Sequence, residues 1–311
     1  MLRKVKTYFL LGLLLATGLF AYSQQDPLYT QYMNDPILIN PAYAGSRGNL
    51  SVNGVFRKQW VGIQWPPTTT SLTINSPFLN YRIGVGFTFI DDQIGPLHQT
   101  GLYLDYAYHI RFPKNRNLSL GLKAGFNVFD RDLLDLLTQD FDAWIFLTDR
   151  PPITLPNVGI GAYYFTPDYY VGFSIPKLFR NSLDPDQNTL EMISREDRTY
   201  YITAGYVFDV VAPVLKLKPT FLTRFITGAP PSVELALTAI AFDTFWGGVM
   251  WRVGDAVAGH LRWQINRQLQ IGYSYDFTNS RLNYHSNGTH EILINYVFER
   301  KGQRILSPRY F

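Results

Sequence analysis

The sequence predicts an all-β fold, a transmembrane up-and-down antiparallel β-barrel of about 14 strands with both termini periplasmic. Three observations predict it. Segments of about ten residues alternate apolar side chains with small or polar ones along the chain. Long and short connections between these segments alternate for most of the chain. Beyond residue 23 no apolar stretch reaches the roughly 18 residues of a membrane-spanning helix.

Residues 1–23 are predicted to be a cleaved signal peptide. Three basic residues precede an apolar stretch from Tyr8 to Phe20, and the small residues Ala21 and Ser23 mark a cleavage site. The apolar stretch is shorter than the ~20 residues of a spanning helix. Cleavage removes three basic and no acidic residues, lowering the formal net charge from +4 to +1. A near-neutral chain argues against nucleic acid as a main partner, and the absence of cysteine excludes disulfides and thiolate metal sites.

Residues 24–48 are predicted to be an irregular N-terminal segment at the periplasmic mouth of the barrel. The stretch QQDPLYTQYMNDPILINPAYAG contains too much proline for a helix and alternates poorly for a strand. Asp35-Pro36 and Asn40-Pro41 favour an extended, kinked path. We expect the segment to plug the mouth, to contact a periplasmic partner, or both, through Tyr29, Tyr32, Ile37, Leu38, Pro41 and Tyr43.

Residues 49–298 are predicted to form the barrel. The stretch NLSLGLKAGFNVFD, at 117–130, places Leu, Ala, Phe and Val on one face and Ser, Gly, Lys and Asn on the other. The same pattern predicts strands at 49–56, 69–76, 82–90, 99–110, 117–129, 157–165, 168–175, 199–208, 214–224, 232–240, 245–252, 256–264, 269–277 and 289–298. Connections such as 130–156 and 176–198 are long, whereas 77–81 and 111–116 are short; 253–255 breaks the alternation.

A β-sandwich and a lipocalin-like barrel are the competing soluble architectures. Each would place Lys, Glu and Asp on the strand face that is not packed in the core. Here that face is dominated by Gly, Ser, Thr and Asn. Tyrosines near strand ends predict an aromatic girdle at the membrane interface, namely Tyr103, Tyr106, Tyr108, Tyr163, Tyr164, Tyr169, Tyr170, Tyr200 and Tyr201.

Strand parity predicts a charged barrel interior that is ion-paired and partly filled. The residues assigned to the lumen are Arg82, Asp105, His109, Lys123, Lys216, Lys218, Glu234, His260, Arg262, Asp276 and Glu291. Glycine pairs at 84–89 and 159–164 do not open a helix, so they do not indicate phosphate binding. On the lumen side they would let a plug approach the wall closely. A porin-like channel for small solutes stays as the alternative function.

The long connection at 130–156 is the best candidate for a partner-binding surface. It is too apolar for a free loop, so we expect it either to fold into the barrel mouth or to dock another surface protein. The candidate residues are Leu133, Leu134, Leu137, Phe141, Trp144 and Phe146, with Trp60 and Trp65 beside them on the same face. Asp91 and Asp92 are expected to be solvated loop acids, and HEILI at 290–294 lacks the second histidine of a zinc HExxH site. We predict no catalytic residue, metal site or cofactor.

Five stretches in order along the chain resemble the PorP/SprF family of Bacteroidota. They are QDPLYTQYMNDPILINPAYAG after the signal peptide, YYVGFSIPKLF at 169–179, LKPTFLTRF at 217–225, IGYSYDFT at 271–278 and THEILINY at 289–296. Each motif alone is weak, but the five together cover essentially the whole mature chain.

The resemblance implies an outer-membrane barrel of a Gram-negative bacterium that works in type IX secretion and, in gliding bacteria, in motility. Implied partners are a secreted surface adhesin, recognised through its C-terminal sorting domain, other components of the secretion or motility apparatus, and outer-membrane lipid. The resemblance brings no catalytic residues, so the protein is not expected to be an enzyme. Because Pro308 prevents a regular last strand, residues 299–311 are predicted to be a C-terminal periplasmic tail.

Overall fold

The structure, a computed structural model, describes residues 27–79, 81–131, 151–181, 196–227, 229–279, 284 and 286–298. Their strands form one antiparallel sheet that pairing between β10 and β11 closes into a barrel. The strands are β1 Ser51–Lys58, β2 Thr68–Phe78, β3 Ile83–Ile94, β4 Leu97–Phe112, β5 Arg116–Arg131, β6 Ile153–Phe165, β7 Tyr169–Ile175, β8 Thr199–Tyr206, β9 Phe208–Val211, β10 Leu215–Ile226, β11 Ser232–Ala241, β12 Phe245–Arg252, β13 Ala256–Gln264, β14 Leu269–Thr278 and β15 Thr289–Val297.

The predicted number of strands is confirmed. β8 and β9 pair with the same edge of β10, so they act as one bent strand and the barrel has 14 strand positions around its wall. No helix among the described residues is long and apolar enough to cross a membrane.

One predicted connection is wrong. The stretch 91–98 is not a loop, because β3 and β4 continue to a tight turn at Gly95-Pro96, where Ile94 pairs with Leu97. Asp91 and Asp92 therefore lie within β3. Asp92 is buried and accepts a hydrogen bond of 2.5 Å from the Thr69 hydroxyl, and Asp91 lies 2.7 Å from a ring nitrogen of His98.

The two faces of the wall differ as strand parity predicts. On β5, Leu120 and Leu122 point outward and are 48% and 58% exposed, whereas Ser119 and Lys123 point inward and are buried. The outward face is apolar and the inward face is polar, which is the pattern of a barrel embedded in lipid.

The predicted aromatic girdle is only half correct. Adjacent strand residues point to opposite faces, so one tyrosine of each neighbouring pair faces inward. The inward-facing tyrosines are buried: Tyr103, Tyr163, Tyr170 and Tyr201. Of the outward-facing ones, Tyr106, Tyr108, Tyr164 and Tyr169 lie near the edge that carries the turns 113–115 and 166–168, whereas Tyr200 lies near the opposite edge.

The two ends of the barrel carry different connections. At one end, which we call the short-turn end, the strands are joined by 79–82, 113–115, 166–168, 212–214, 242–244 and 265–268. At the other, the long-loop end, the connections include 59–67, 132–152, 176–198 and 279–288. β1 begins and β15 ends at the short-turn end.

Candidate functional site

The lumen contains the chain that precedes β1, residues 27–48, which we call the lumenal segment. It forms three single-turn 3₁₀ helices, Tyr32–Asn34, Pro36–Leu38 and Pro41–Tyr43. Prolines begin the second and third turns, where a missing backbone N–H costs no hydrogen bond. Every residue from 29 to 46 is buried, so an irregular stretch of chain forms the core of the barrel.

The aromatic and apolar residues predicted to bury themselves in this segment all do so, on two walls of the barrel. Tyr29, Tyr32 and Leu38 form one cluster with wall residues that include Val55, Leu222, Met250 and Leu293. Ile37 and Tyr43 form a second cluster with Ala107, Tyr163 and Tyr170, and Pro41 is buried beside them. The segment thus bridges opposite sides of the barrel.

The first part of the segment is held by an ion-paired cluster in the long-loop half of the barrel. The Arg57 guanidinium lies 2.8 Å from the Asp276 carboxylate and 3.0 Å from the Glu291 carboxylate. The Thr30 hydroxyl donates to Asp276 at 2.6 Å, and the backbone N–H groups of Thr30 and Gln31 each donate to Glu291 at 2.8 Å. Both buried carboxylates are thereby compensated by a cation and by the segment itself.

The second part of the segment lies against the opposite wall in the short-turn half. The Ser119 hydroxyl donates to the Ala42 carbonyl at 2.6 Å and the Ser174 hydroxyl donates to the Ile39 carbonyl at 2.6 Å. The Asn40 side chain accepts from the Ala42 N–H at 3.0 Å and donates to the Ala162 carbonyl at 3.1 Å. These contacts satisfy backbone groups that the irregular fold of the segment leaves without partners.

Glycines on the wall permit this close approach. A Cβ atom on Gly84 would overlap the Ala44 carbonyl, one on Gly121 would overlap the backbone at Ala42, and one on Gly161 would overlap the Asn40 side chain. The predicted role of the lumen-side glycines is therefore confirmed at Gly84 and Gly161. Only a residue without a side chain lets two backbones come this close.

Asp35 is the segment's own buried acid. Its carboxylate accepts hydrogen bonds from the Thr73 hydroxyl at 2.7 Å and the Asn53 amide at 3.1 Å. Burial raises the pKa of Asp35 to about 6, opposed by the Thr73 hydrogen bond and by the positive charges of Arg47 and Lys123. Arg47 itself donates to the Asn34 carbonyl at 2.6 Å, which ties the two halves of the segment together.

Nine of the eleven charged or histidine residues assigned to the lumen are buried there. Lys123 pairs with Asp105 at 2.9 Å, and Glu234 pairs at 2.9 Å with Arg252. Lys216 is only partly buried, and the assignment of Arg82 is wrong, because this residue precedes β3 and is exposed. Sequence reasoning missed Arg57 and Arg252.

Trp246 lies between two buried cations near the short-turn end. The Arg262 guanidinium is 4.1 Å from the centre of the indole ring and the Lys218 ammonium is 5.8 Å away. Arg262 also donates to Gln270 at 3.4 Å, and a ring nitrogen of His260 lies 2.9 Å from the Thr238 hydroxyl. Cation–π attraction to the face of the indole ring stabilises these two charges, which burial has removed from water.

The predicted outer-loop residues divide into two groups. Trp60 and Trp65 lie at the long-loop end, where the Trp60 backbone N–H donates to the Thr289 hydroxyl at 3.1 Å and the Trp65 side chain is 48% exposed. The Val61 N–H also donates to the Gly288 carbonyl at 2.8 Å, so this loop is fixed to the connection before β15. The other six, at 133–146, lie outside the described residues.

An antiparallel barrel with an apolar exterior and an ion-paired interior is an outer-membrane β-barrel protein. The chain belongs to the PorP/SprF family, since the model for "type IX secretion system membrane protein PorP/SprF" matches residues 21–296. The family and the barrel fold place the protein in the outer membrane and are those of secretion- or porin-type membrane proteins.

Solved structures of outer-membrane barrels resemble the fold. The CymD monoaromatic hydrocarbon channel is 11% identical with a TM-score of 0.50, over 92% of this chain and 97% of that one. Omp33 of Acinetobacter baumannii is 10% identical with a TM-score of 0.47, over 80% of this chain and 98% of that one. Comparison with curated proteins gave no match.

Proposed function

We propose that this protein is a non-enzymatic scaffold of the type IX secretion system that holds secreted adhesins at the cell surface. In this proposal the long-loop face binds the C-terminal sorting domain of an adhesin, and the short-turn end contacts the secretion or gliding apparatus. Membership of the PorP/SprF family supports the link to secretion. The choice of a scaffold over a channel rests on the lumen.

The observation that carries the choice is the burial of every residue from 29 to 46 inside the barrel. A solute channel requires a continuous aqueous path, whereas this lumen contains two apolar clusters and a buried ion-paired cluster. Burial of this extent is typical of a protein core. A barrel filled in this way is suited to present its outer surface to another protein.

The binding face is proposed to combine the loop at 59–67 with the apolar stretch at 133–146. The hydrogen bonds between the first loop and the connection before β15 support a preformed platform, because they hold its backbone without a partner. The exposed indole of Trp65 supplies the type of anchor that binding surfaces favour.

Conductance in planar bilayers tests the scaffold against the channel. The full-length mature protein is expected to give no stable pore, whereas a variant in which residues 29–46 are replaced by a Gly/Ser sequence of equal length is expected to conduct. Stable openings of porin size in the unaltered protein would overturn the scaffold proposal.

Surface retention of the adhesin tests the binding face. Replacing residues 133–146 by Gly/Ser residues of equal number keeps the connection between β5 and β6 and removes its apolar side chains. We expect the adhesin to be released into the medium. Leu120→Val, on the lipid-facing wall between the two proposed contact surfaces, serves as a control that leaves retention unchanged. Normal retention in the loop variant would remove 133–146 from the binding surface.

A further inference from the structure

A pocket opens at the rim of the barrel wall, beside the turn between β2 and β3. Its volume is about 660 Å³, and it is lined by Leu79, Arg82, Ile83, Tyr108 and Arg111. Ile83 pairs across the strands with Tyr108, and both point away from the lumen. Arg111 follows the buried His109 by two residues on β4, and the His109 backbone N–H donates to the Arg82 carbonyl at 2.8 Å. The pocket therefore lies at the rim of the barrel, where the lipid-facing wall meets the short turns.

The pocket is positively charged. Its lining contains two arginines and no acid, and the sequence has no Asp or Glu in 76–90 or in 106–129. Among the residues that the structure describes, no carboxylate forms an ion pair with Arg82. The Arg111 guanidinium lies 5.7 Å over the Tyr81 ring, which orients it at the edge of the site. The side chains that line the pocket therefore carry a net positive charge, which favours an anion.

The surface beyond the pocket is apolar. Val85 pairs across the strands with Tyr106, directly next to the pair formed by Ile83 and Tyr108. Leu104, further along the same face, is among the most exposed apolar residues of the wall. A column of apolar and aromatic side chains thus runs from the charged pocket towards the middle of the membrane-facing wall.

We propose that this pocket binds one phospholipid through its phosphate, with Arg82 and Arg111 as the phosphate ligands. Guanidinium groups form paired, charge-assisted hydrogen bonds with phosphate oxygens, and the Tyr108 hydroxyl lies at the interface, where tyrosine finds both apolar and polar partners. The acyl chains lie along Ile83, Val85 and Leu104. Basic pockets at the membrane interface recognise lipid headgroups by the same chemistry, and volumes of about 300–1,000 Å³ are typical of small-molecule sites.

A phospholipid is favoured over free phosphate because the basic pocket and the apolar column are continuous. Free phosphate would bind only the two arginines and would make no contact with the apolar side chains beyond the pocket. In a barrel with its short turns in the periplasm, the headgroup would belong to the periplasmic leaflet. The site is separate from the adhesin-binding face proposed above, so the two proposals stand or fall independently.

Native mass spectrometry of the full-length mature protein in detergent, with added dipalmitoylphosphatidylglycerol, tests the site. The double variant R82Q/R111Q is expected to bind the lipid with affinity lower by about 100-fold or more, because it loses two charge-assisted hydrogen bonds that each contribute about tenfold or more. The matched control R116Q/R267Q removes two exposed arginines from the same barrel end without touching the pocket, and it is expected to bind like the unaltered protein. Heat-modifiable migration in gels verifies that each variant is folded.

Two further probes separate the possible sources of the phosphate. Dipalmitoylglycerol has the same acyl chains and no phosphate. Its affinity for the unaltered protein is expected to equal its affinity for R82Q/R111Q. Inorganic phosphate at millimolar concentration is expected to leave the phospholipid bound. The proposal is overturned if R82Q/R111Q and R116Q/R267Q lose lipid equally, if dipalmitoylglycerol binds as tightly as the phospholipid, or if inorganic phosphate displaces it.

Discussion

Gly121→Ala adds one methyl group at a point where the backbones of the wall and of the lumenal segment lie in close contact. The new Cβ would lie 2.5 Å from the Ala42 Cα and 2.5 Å from the Pro41 carbonyl carbon. Both are backbone atoms, so no side chain can rotate away. Restoring ordinary van der Waals contact requires the segment to move by about 1 Å, which would take the 2.6 Å hydrogen bond between Ser119 and the Ala42 carbonyl to the edge of bonding distance.

The magnitude follows from these two effects. Overpacking costs about 1–3 kcal/mol, and the weakened hydrogen bond costs about 1 kcal/mol. The sum of about 2–4 kcal/mol corresponds to a rise of roughly 30- to 1,000-fold in the population in which the segment leaves the wall. The strand pairs of the barrel themselves do not involve the added methyl group.

The chain has no cysteine, so a single Met33→Cys substitution provides a specific label in the segment. Met33 is 3% exposed, and its reaction with a membrane-impermeant maleimide reports how often the segment opens. Gly259→Ala, at a glycine with no neighbour within 4 Å of its added Cβ, is the matched control. Equal labelling rates in the Gly121 and Gly259 variants would refute the claim that close backbone contact holds the segment.

Three further predictions concern single residues. Arg57→Gln removes the only ion-paired cation of Glu291 among the described residues and leaves Asp276 with Arg252 alone, at 3.8 Å, so it is expected to lower the free energy of unfolding by about 3–5 kcal/mol; the temperature at which migration in gels changes on heating measures the loss, and a double variant with Glu291→Gln that recovers no stability would contradict it. Because burial raises the pKa of Asp35 to about 6, this residue's contribution to stability is greatest below about pH 4 and declines as the pH rises to about 6. As the pH rises over that range, the free energy of unfolding of Asp35→Asn is therefore expected to increase relative to that of the unaltered protein, by on the order of 3 kcal/mol. Parallel melting profiles from pH 4 to 7 would rule this out. Asn40→Ala removes the cap on Ala42 and is expected to cost about 1–2 kcal/mol, read as faster labelling at Met33→Cys, with unchanged labelling as the contrary result.

The wall of the barrel was predictable because the alternation of residues within each single strand determines which side chains face the lipid. Lipid outside and polar groups inside impose a period of two on every strand, and that period is visible in a stretch such as 117–130. Errors arose where the period did not decide the outcome. Arg57 was missed because the first strand was predicted to end at residue 56, two residues too early, and Arg82 was assigned to the lumen because its strand was predicted to begin one residue too soon.

The path of the lumenal segment was not predictable, because it depends on contacts between distant parts of the sequence. Thr30 and Glu291 are 261 residues apart, and no short pattern links them. Proline content and apolar side chains correctly indicated that the segment would bury itself. The lumen-side glycines carried more information, since Gly84, Gly121 and Gly161 mark where the wall receives it, but only known strand pairing shows that these three positions lie around one site.

The two attachments of the segment differ in kind, and this difference bears on channel function. In the long-loop half, Thr30 and Gln31 complete the compensation of Asp276 and Glu291, so withdrawing them leaves buried carboxylates with fewer donors. In the short-turn half, close backbone contact and hydrogen bonds from Ser119 and Ser174 hold the chain. Opening the lumen along its whole length requires losing both sets, because each set holds a different part of the segment. A neutral solute makes no interaction that replaces these hydrogen-bond donors. Its passage would therefore require the full free energy of displacing the lumenal segment. A scaffold that binds its partners through its outer surface does not need to displace the segment. This difference in free energy favours the scaffold over the channel.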